Sequence, residues 1–231
     1  MNRRMIVLVA ILSIIMIASG CGSGGGSGRY TIPPEIPTPG TGTGGGGTGG
    51  TGETDIESLI LSGWEDFKYG AYSSAINKFN QALISNNITD NQKYEAYNGL
   101  GWAQTKSTGA ASAHGSFSQA VAGNSDAAFV GLAASLIQLG QRDGFSRALE
   151  LLNKVGGKGL SDNTTTFATK YPVGVSNAEA HAMIAWCYFW TGNTTEAVRK
   201  INYARTIESA ADSSVTQIFE ALKKLDSDSF K

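Results

Sequence analysis

Three of the four tryptophans share a local setting. Trp64 follows Gly63, Trp102 follows Gly101 and Trp186 follows Ala185. A large ring beside so small a residue can do one of two things. It can anchor a ligand, since indole is favoured at binding surfaces, or it can wedge between stretches of backbone that the small residue allows to approach. Phe67 extends both options beside Trp64, and Phe189 and Trp190 do so beside Trp186. Reactive side chains are otherwise scarce: two cysteines, Cys21 and Cys187, and two histidines, His114 and His181. Cys187, between Trp186 and Tyr188, has the setting of an inert core thiol whose pKa burial raises. The histidines read as packing or surface residues. This inventory excludes a disulfide framework and a dense Cys/His metal site, and implies no cofactor. No carboxylate pair, Gly-Lys-Ser/Thr phosphate loop or nucleophile elbow occurs, so the chain reads as a binding protein and not an enzyme. Eighteen basic against nineteen acidic residues, a net charge of −1, give no electrostatic case for nucleic acid.

Cys21 stands apart from the rest. Residues 1 to 21 read MNRRMIVLVAILSIIMIASGC. Arg3 and Arg4 form a positive start, and Met5 to Ala18 is apolar except for Ser13. That run is short of the ~20 apolar residues a spanning helix wants and has the size and flanks of an export signal. The end, Ala18-Ser19-Gly20-Cys21, resembles the lipobox of bacterial lipoproteins, departing from it at Ala18, where leucine is usual. The resemblance implies lipid on the Cys21 thiol, loss of residues 1–20 and acylation of the new N-terminus. An ordinary secreted protein or an uncleaved signal anchor is the alternative. Gly22 after the cysteine, in place of Asp, implies the outer membrane ahead of the inner one, with the folded part in the periplasm or at the cell surface.

Residues 21–53 hold fourteen of the thirty glycines and four of the five prolines. Such a composition cannot bury a core. It reads as a tether with a span of roughly 30 Å, at ~5–6 Å times the square root of the residue number.

From residue 54 to 231 the pattern is helical. Thr54-Asp55-Ile56-Glu57 has the form of a capping box, followed by Ile56, Leu59, Ile60, Gly63, Trp64 and Phe67 at helical spacing. Further starts read at Thr89-x-x-Gln92, Ser176-x-x-Glu179, Asn193-x-x-Glu196 and Ser214-x-x-Gln217. The spacing predicts nine helices, over 55–69, 72–86, 91–107, 111–123, 125–140, 143–155, 177–191, 194–209 and 213–226. Strand-like alternation shows only as a weak hint between Thr164 and Val175. The insertion 156–176 carries Phe167, Tyr171, Pro172 and Val173, and reads as a partly ordered flap or a linker.

The helices repeat. Aligning Ala75, Ala113, Ala148 and Ala197 brings Phe79, Phe117, Leu152 and Ile201 into register four residues later. Gly63, Gly101, Leu136 and Ala185 fall twelve residues earlier. Small residues where helices cross allow close approach, and the bulky residue fills the gap beside them. The pattern resembles the tetratricopeptide repeat family, whose unit is a helix–turn–helix of 34 residues. The resemblance implies an all-α, right-handed superhelix of about four helix pairs. A final apolar stripe, Val215, Ile218, Phe219, Leu222 and Leu225, reads as a capping helix.

In the resembled family the register of Trp64, Trp102, Ile137 and Trp186 tends to face the concave side. The resemblance therefore implies a scaffold for a protein or peptide partner in the cell envelope, with Trp64, Phe67, Trp102, Trp186, Phe189 and Trp190 as candidate partner-binding residues. The competing reading is that these rings are core. A receptor for a small molecule or glycan stacked on the tryptophans is the alternative function.

Overall fold

The computed structural model describes residues 55–231. The export signal 1–20, the lipidation candidate Cys21, the tether 21–53 and Thr54 lie outside the described residues. Nine α-helices are found among the described residues: α1 (Ile56–Lys68), α2 (Tyr72–Leu83), α3 (Asp90–Thr108), α4 (His114–Ala120), α5 (Asp126–Leu139), α6 (Arg142–Leu152), α7 (Asn177–Trp190), α8 (Thr194–Ile207) and α9 (Ser214–Leu225). The described residues contain no strand, and none of their helices is long and apolar enough to cross a membrane.

The helix starts show why these boundaries arise. The first backbone N–H groups of a helix lack partners within it, and side chains supply them. At α3 the Thr89 hydroxyl accepts from Gln92 N while the Gln92 side chain accepts from Thr89 N. Ser176 and Glu179 form the same reciprocal pair at α7. Asn193 caps α8 by accepting from Glu196 N at 3.2 Å. Two starts differ from the sequence reading by one residue. The cap of α1 is Asp55, which accepts from Glu57 N and Ser58 Oγ, because a carboxylate can take both donors. The cap of α9 is Ser213, which accepts from Thr216 N. The fourth segment, expected as one helix over 111–123, is a short α-helix between two 3₁₀ turns, Ala110–Ala113 and Val121–Gly123. Its serines explain this: Ser112 Oγ donates to Gly109 O and Ser118 Oγ to His114 O, local bonds that compete with regular helix.

The helices pack as antiparallel neighbours, α1 on α2, α3 on α4, α5 on α6 and α7 on α8. The first helix of each pair also touches the first helix of the next. Ring seats lock the early pairs together. A Cβ on Gly63 or Gly99 would lie 2.8 or 2.2 Å from the Phe79 ring, and one on Gly101 or Gly131 would lie 2.7 or 2.3 Å from the Phe117 ring. Each phenylalanine of a second helix is thus sunk between two glycines, one on its own first helix and one on the next. In the third pair Leu136 takes the glycine register and the smaller Leu152 the ring register, both buried. The aligned alanines Ala75, Ala113, Ala148 and Ala197 are all fully buried. Helix α9 closes the end of the stack with Val215, Ile218, Phe219 and Leu222 buried, and Phe230 folds back edge-on to Phe189 at 5.8 Å.

Candidate functional site

The segment between α6 and α7 crosses the face built by the first helices. Its burial alternates: Thr165, Phe167 and Val173 are buried and Thr169, Tyr171 and Val175 half-buried, while Thr166, Ala168, Lys170, Pro172 and Gly174 are exposed. That period of two is the signature of extended chain. The weak alternation in the sequence therefore marks a strap that pairs with no strand and lies on helices instead.

Polar staples fix the incoming limb of this strap. Lys200 on α8 is fully buried and donates to Leu160 O and to Asn163 Oδ1, both at 2.6 Å. Arg199 reaches Ser161 O and Asn163 Oδ1 at 3.3 Å, and the Tyr203 hydroxyl donates to Asn163 O. Burial, with Arg199 adding like-charge repulsion, pulls the Lys200 ammonium down to about 8. On α7 the buried His181 places Nε2 3.0 Å from Thr165 O, and a carbonyl there requires the nitrogen to donate. Burial pulls its pKa below the usual imidazole range. Asn177 Oδ1 accepts from Phe167 N at 2.7 Å.

Beyond Phe167 the strap reaches the first pair. Tyr171 stacks on Trp64, ring centroids 4.3 Å apart and planes 12° from parallel. Lys170 lies 3.8 Å from Glu95 of α3 and over the Tyr171 ring at 4.8 Å. The Tyr171 hydroxyl, and then Glu95, hold the Lys170 ammonium above its ordinary value. Small cavities flank this contact. One of about 320 Å³ is lined by Trp64, Glu95, Asn98, Asp126, Tyr171 and Val173. Another of about 230 Å³ is lined by Glu57, Ile60, Leu61, Asn91, Glu95 and Tyr171. A larger cleft of about 600 Å³ lies between the outgoing strap, the start of α7 and the α8–α9 connection, with Glu179, Glu208 and Asp212 in its wall. Among the described residues, no group of three or more His, Cys, Asp or Glu is placed to hold a metal.

The expected aromatic groove is not open. Trp64, Phe67, Trp102 and Trp186 are buried, and Phe189 and Trp190 are half-buried. Trp102 stands edge-on to Phe117 at 5.2 Å, and Trp190 stacks on Phe145 at 5.6 Å. The wedge reading describes Trp102 and Trp186, which the ring seats and the apolar α7 enclose. Trp64 is different: it faces the crossing strap and is covered by Tyr171 rather than by its neighbouring helices alone. Cys187 is buried, and burial pushes its thiol far up. His114 Nδ1 is 3.0 Å from Ser135 Oγ. Glu95, Asn98 and Lys170 escaped the sequence reading, being ordinary polar residues at ordinary helix and loop positions. The run Lys170-Tyr171-Pro172-Val173 was the available signal.

No known family description and no curated protein matches the sequence. Solved structures do match. "MamA MSR-1 C2" is 15% identical, with 74% of this chain and 87% of that chain covered and a TM-score of 0.51. A thermophilic TPR protein of Thermus thermophilus is 19% identical over 74% of this chain and 81% of that one, TM-score 0.46. A MamA crystal structure is 17% identical over 75% and 85%, TM-score 0.46. At such identities the likeness speaks to fold. The fold is tetratricopeptide-like. Within that frame the first helices α1, α3, α5 and α7 form one face, and the strap lies across it.

Proposed function

We propose that this chain is a lipid-anchored envelope protein whose tetratricopeptide-like stack binds a protein or peptide partner, in envelope or secretion-complex assembly. The observation that carries the binding half is the strap itself: an extended segment, anchored by a ring on Trp64, already lies on the first-helix face. A surface that seats extended chain in cis has the shape and chemistry to seat it in trans. The role is one of binding and not catalysis. The alternative, a small molecule or glycan stacked on tryptophan, would need an exposed indole. The cleft of about 600 Å³ has carboxylates and hydroxyls in its wall and no tryptophan.

The anchoring half rests on the lipobox-like Ala18-Ser19-Gly20-Cys21 and its apolar leader. It places the protein on a bacterial membrane, the outer ahead of the inner, with the stack held off the surface by residues 21–53. Several acyl chains at ~0.8 kcal/mol per buried CH₂ give stable attachment, where one chain is marginal. Cys21→Ser should abolish incorporation of labelled palmitate and leave the unprocessed precursor. Undiminished labelling of that variant would remove the anchor.

A further inference from the structure

The seat over Trp64 and Glu95 is imperfectly filled. Lys170 makes a loose pair with Glu95 at 3.8 Å, its own side chain 71% exposed. One turn along α3, Asn98 is 4% exposed and its Oδ1 has no hydrogen-bond partner. A buried acceptor without a donor is costly. The same cavity walls present Glu57, Glu95 and Asp126 against the single cation Lys170. Asp126 is occupied by the Gly156 amide, which leaves Glu57 and Glu95 with one ammonium between them. The two cavities beside Tyr171, about 320 and 230 Å³, lie close to or below the ~300 Å³ floor of small-molecule pockets, and suit side chains of a passing segment.

The chain carries a second segment of matching chemistry. Between residues 22 and 54 the only basic residue is Arg29 and the only aromatic is Tyr30, and they are adjacent. Arg29-Tyr30-Thr31-Ile32 repeats the order of Lys170-Tyr171-Pro172-Val173: a cation, a tyrosine, one spacer and a β-branched aliphatic. In extended chain the tyrosine and the aliphatic then share one face, as Tyr171 and Val173 do in the strap. The substitution of arginine for lysine matters here. A guanidinium offers five donors in a fixed fork where an ammonium is a point charge, so it can serve the Glu95 carboxylate and the Asn98 carbonyl together.

We propose that Arg29–Ile32 is an intramolecular competitor for the strap's seat, exchanging with Lys170–Val173 over Trp64 and Glu95. The proposal rests on the reading of this face as one that binds extended peptide. Residues 33–54 precede α1 in the sequence, and Glu57 and Ile60 of α1 line the seat. A Gly-rich stretch of that length spans roughly 25 Å, at ~5–6 Å times the square root of the residue number, enough to return to the seat from the start of α1. Its effective concentration is of millimolar order, so weak recognition suffices. An external partner would have to displace this segment.

The test uses the full chain and a fluorescein-labelled peptide copying residues 28–34, Gly-Arg-Tyr-Thr-Ile-Pro-Pro, read by anisotropy. Arg29→Glu with Tyr30→Ala removes the competitor in cis without touching the folded stack. The labelled peptide should bind that variant about tenfold tighter than the unchanged chain, as expected when ~1 mM effective concentration meets a ~0.1 mM affinity. Glu95→Gln, checked for an unchanged melting midpoint, should weaken it again. Equal affinity for the variant and the unchanged chain overturns the proposal. A second probe, a labelled copy of residues 168–175, is measured on Tyr171→Ala, whose own strap is weakened. Binding of that probe, while the 28–34 peptide fails to distinguish the chains, leaves the peptide-binding face standing and the competitor refuted. Failure of both probes on every chain refutes both.

Discussion

Phe79 and Tyr171 both press a ring onto the first helices, yet they belong to two kinds of structure. Phe79 is fully buried, with Gly63 and Gly99 leaving room for its ring and nothing else. Tyr171 is half-buried, stacked on one face of Trp64, and carried by a segment with no helix of its own. The helix pairs are held by many short-range apolar contacts that no protonation can alter. The strap buries only Leu160, Phe167 and Val173 as apolar anchors and leans on a handful of directed bonds: Lys200 and Tyr203 to the 160–163 turn, His181 to Thr165 O, Asn177 to the Phe167 amide, and one stacked pair. Shape complementarity makes the stack a single rigid object. Three apolar anchors and a few polar staples make the strap a more separable one, and regions with few buried apolar contacts open below the cost of global unfolding.

The contrast can be broken from either side. The largest effect is expected from Phe117→Ala, which empties the seat between Gly101 and Gly131. It should cost ~3–5 kcal/mol by denaturant titration and loosen the strap only as the whole stack unfolds. Gly99→Ala comes next. Its new Cβ would sit 2.2 Å from the Phe79 ring, and overpacking of this kind costs ~1–3 kcal/mol. Phe79→Leu on the same chain should recover part of the loss, because the two residues share one space. Additive losses in the double variant would mean that the ring seat is not the source of the strain. Tyr171→Ala should lower global stability by only ~0.5–1.5 kcal/mol, the worth of an aromatic pair, while speeding amide exchange at residues 165–173. A loss as large as that of Phe117→Ala would make the strap part of the core.

The smallest effect is one of pH. Burial holds the folded pKa of His181 below its unfolded value near 6.5, so the stability it contributes is complete above pH 6.5. As pH falls the unfolded chain takes up the proton first, and this stability is lost progressively through the folded pKa. Lys200 has the same sign at a higher window. With its pKa drawn down to about 8 from an unfolded 10.5, stability should rise as pH climbs between those values. The protection factors of amides at 165–173, with the intrinsic pH dependence of exchange removed, should therefore fall on mild acidification, more than those in α3 and α4. A His181→Asn chain with the same acid response would assign the effect to another group.

Much of this architecture was legible because its causes are local. Helix existence and most boundaries follow from apolar spacing within four residues and from caps such as Thr89 with Gln92, both of which lie within one turn of chain. The aligned alanines and the partners Phe79 and Phe117 repeat at near-constant intervals, so the paired packing could be read as a period. The second glycine of each ring seat could not. Gly99 and Gly131 face a ring from the preceding pair, and nothing in their own neighbourhood shows it. The candidate site was less legible still. A tryptophan after a small residue suits an exposed groove or a buried wedge equally, and the sequence carries no term for what arrives on top of it.

By itself, then, the sequence determined an all-helical chain of paired elements behind an apolar leader and a glycine-rich stretch, since composition and short-range periodicity act wherever the chain goes. Only the tertiary structure decided that Tyr171 covers Trp64, that Lys200 and His181 pin the strap, and that Glu95 and Asn98 meet beneath it. Those contacts join residues tens to a hundred positions apart. Their partners are set by how successive pairs stack, and the stacking is settled by the sum of all the seats rather than by any residue's own neighbours.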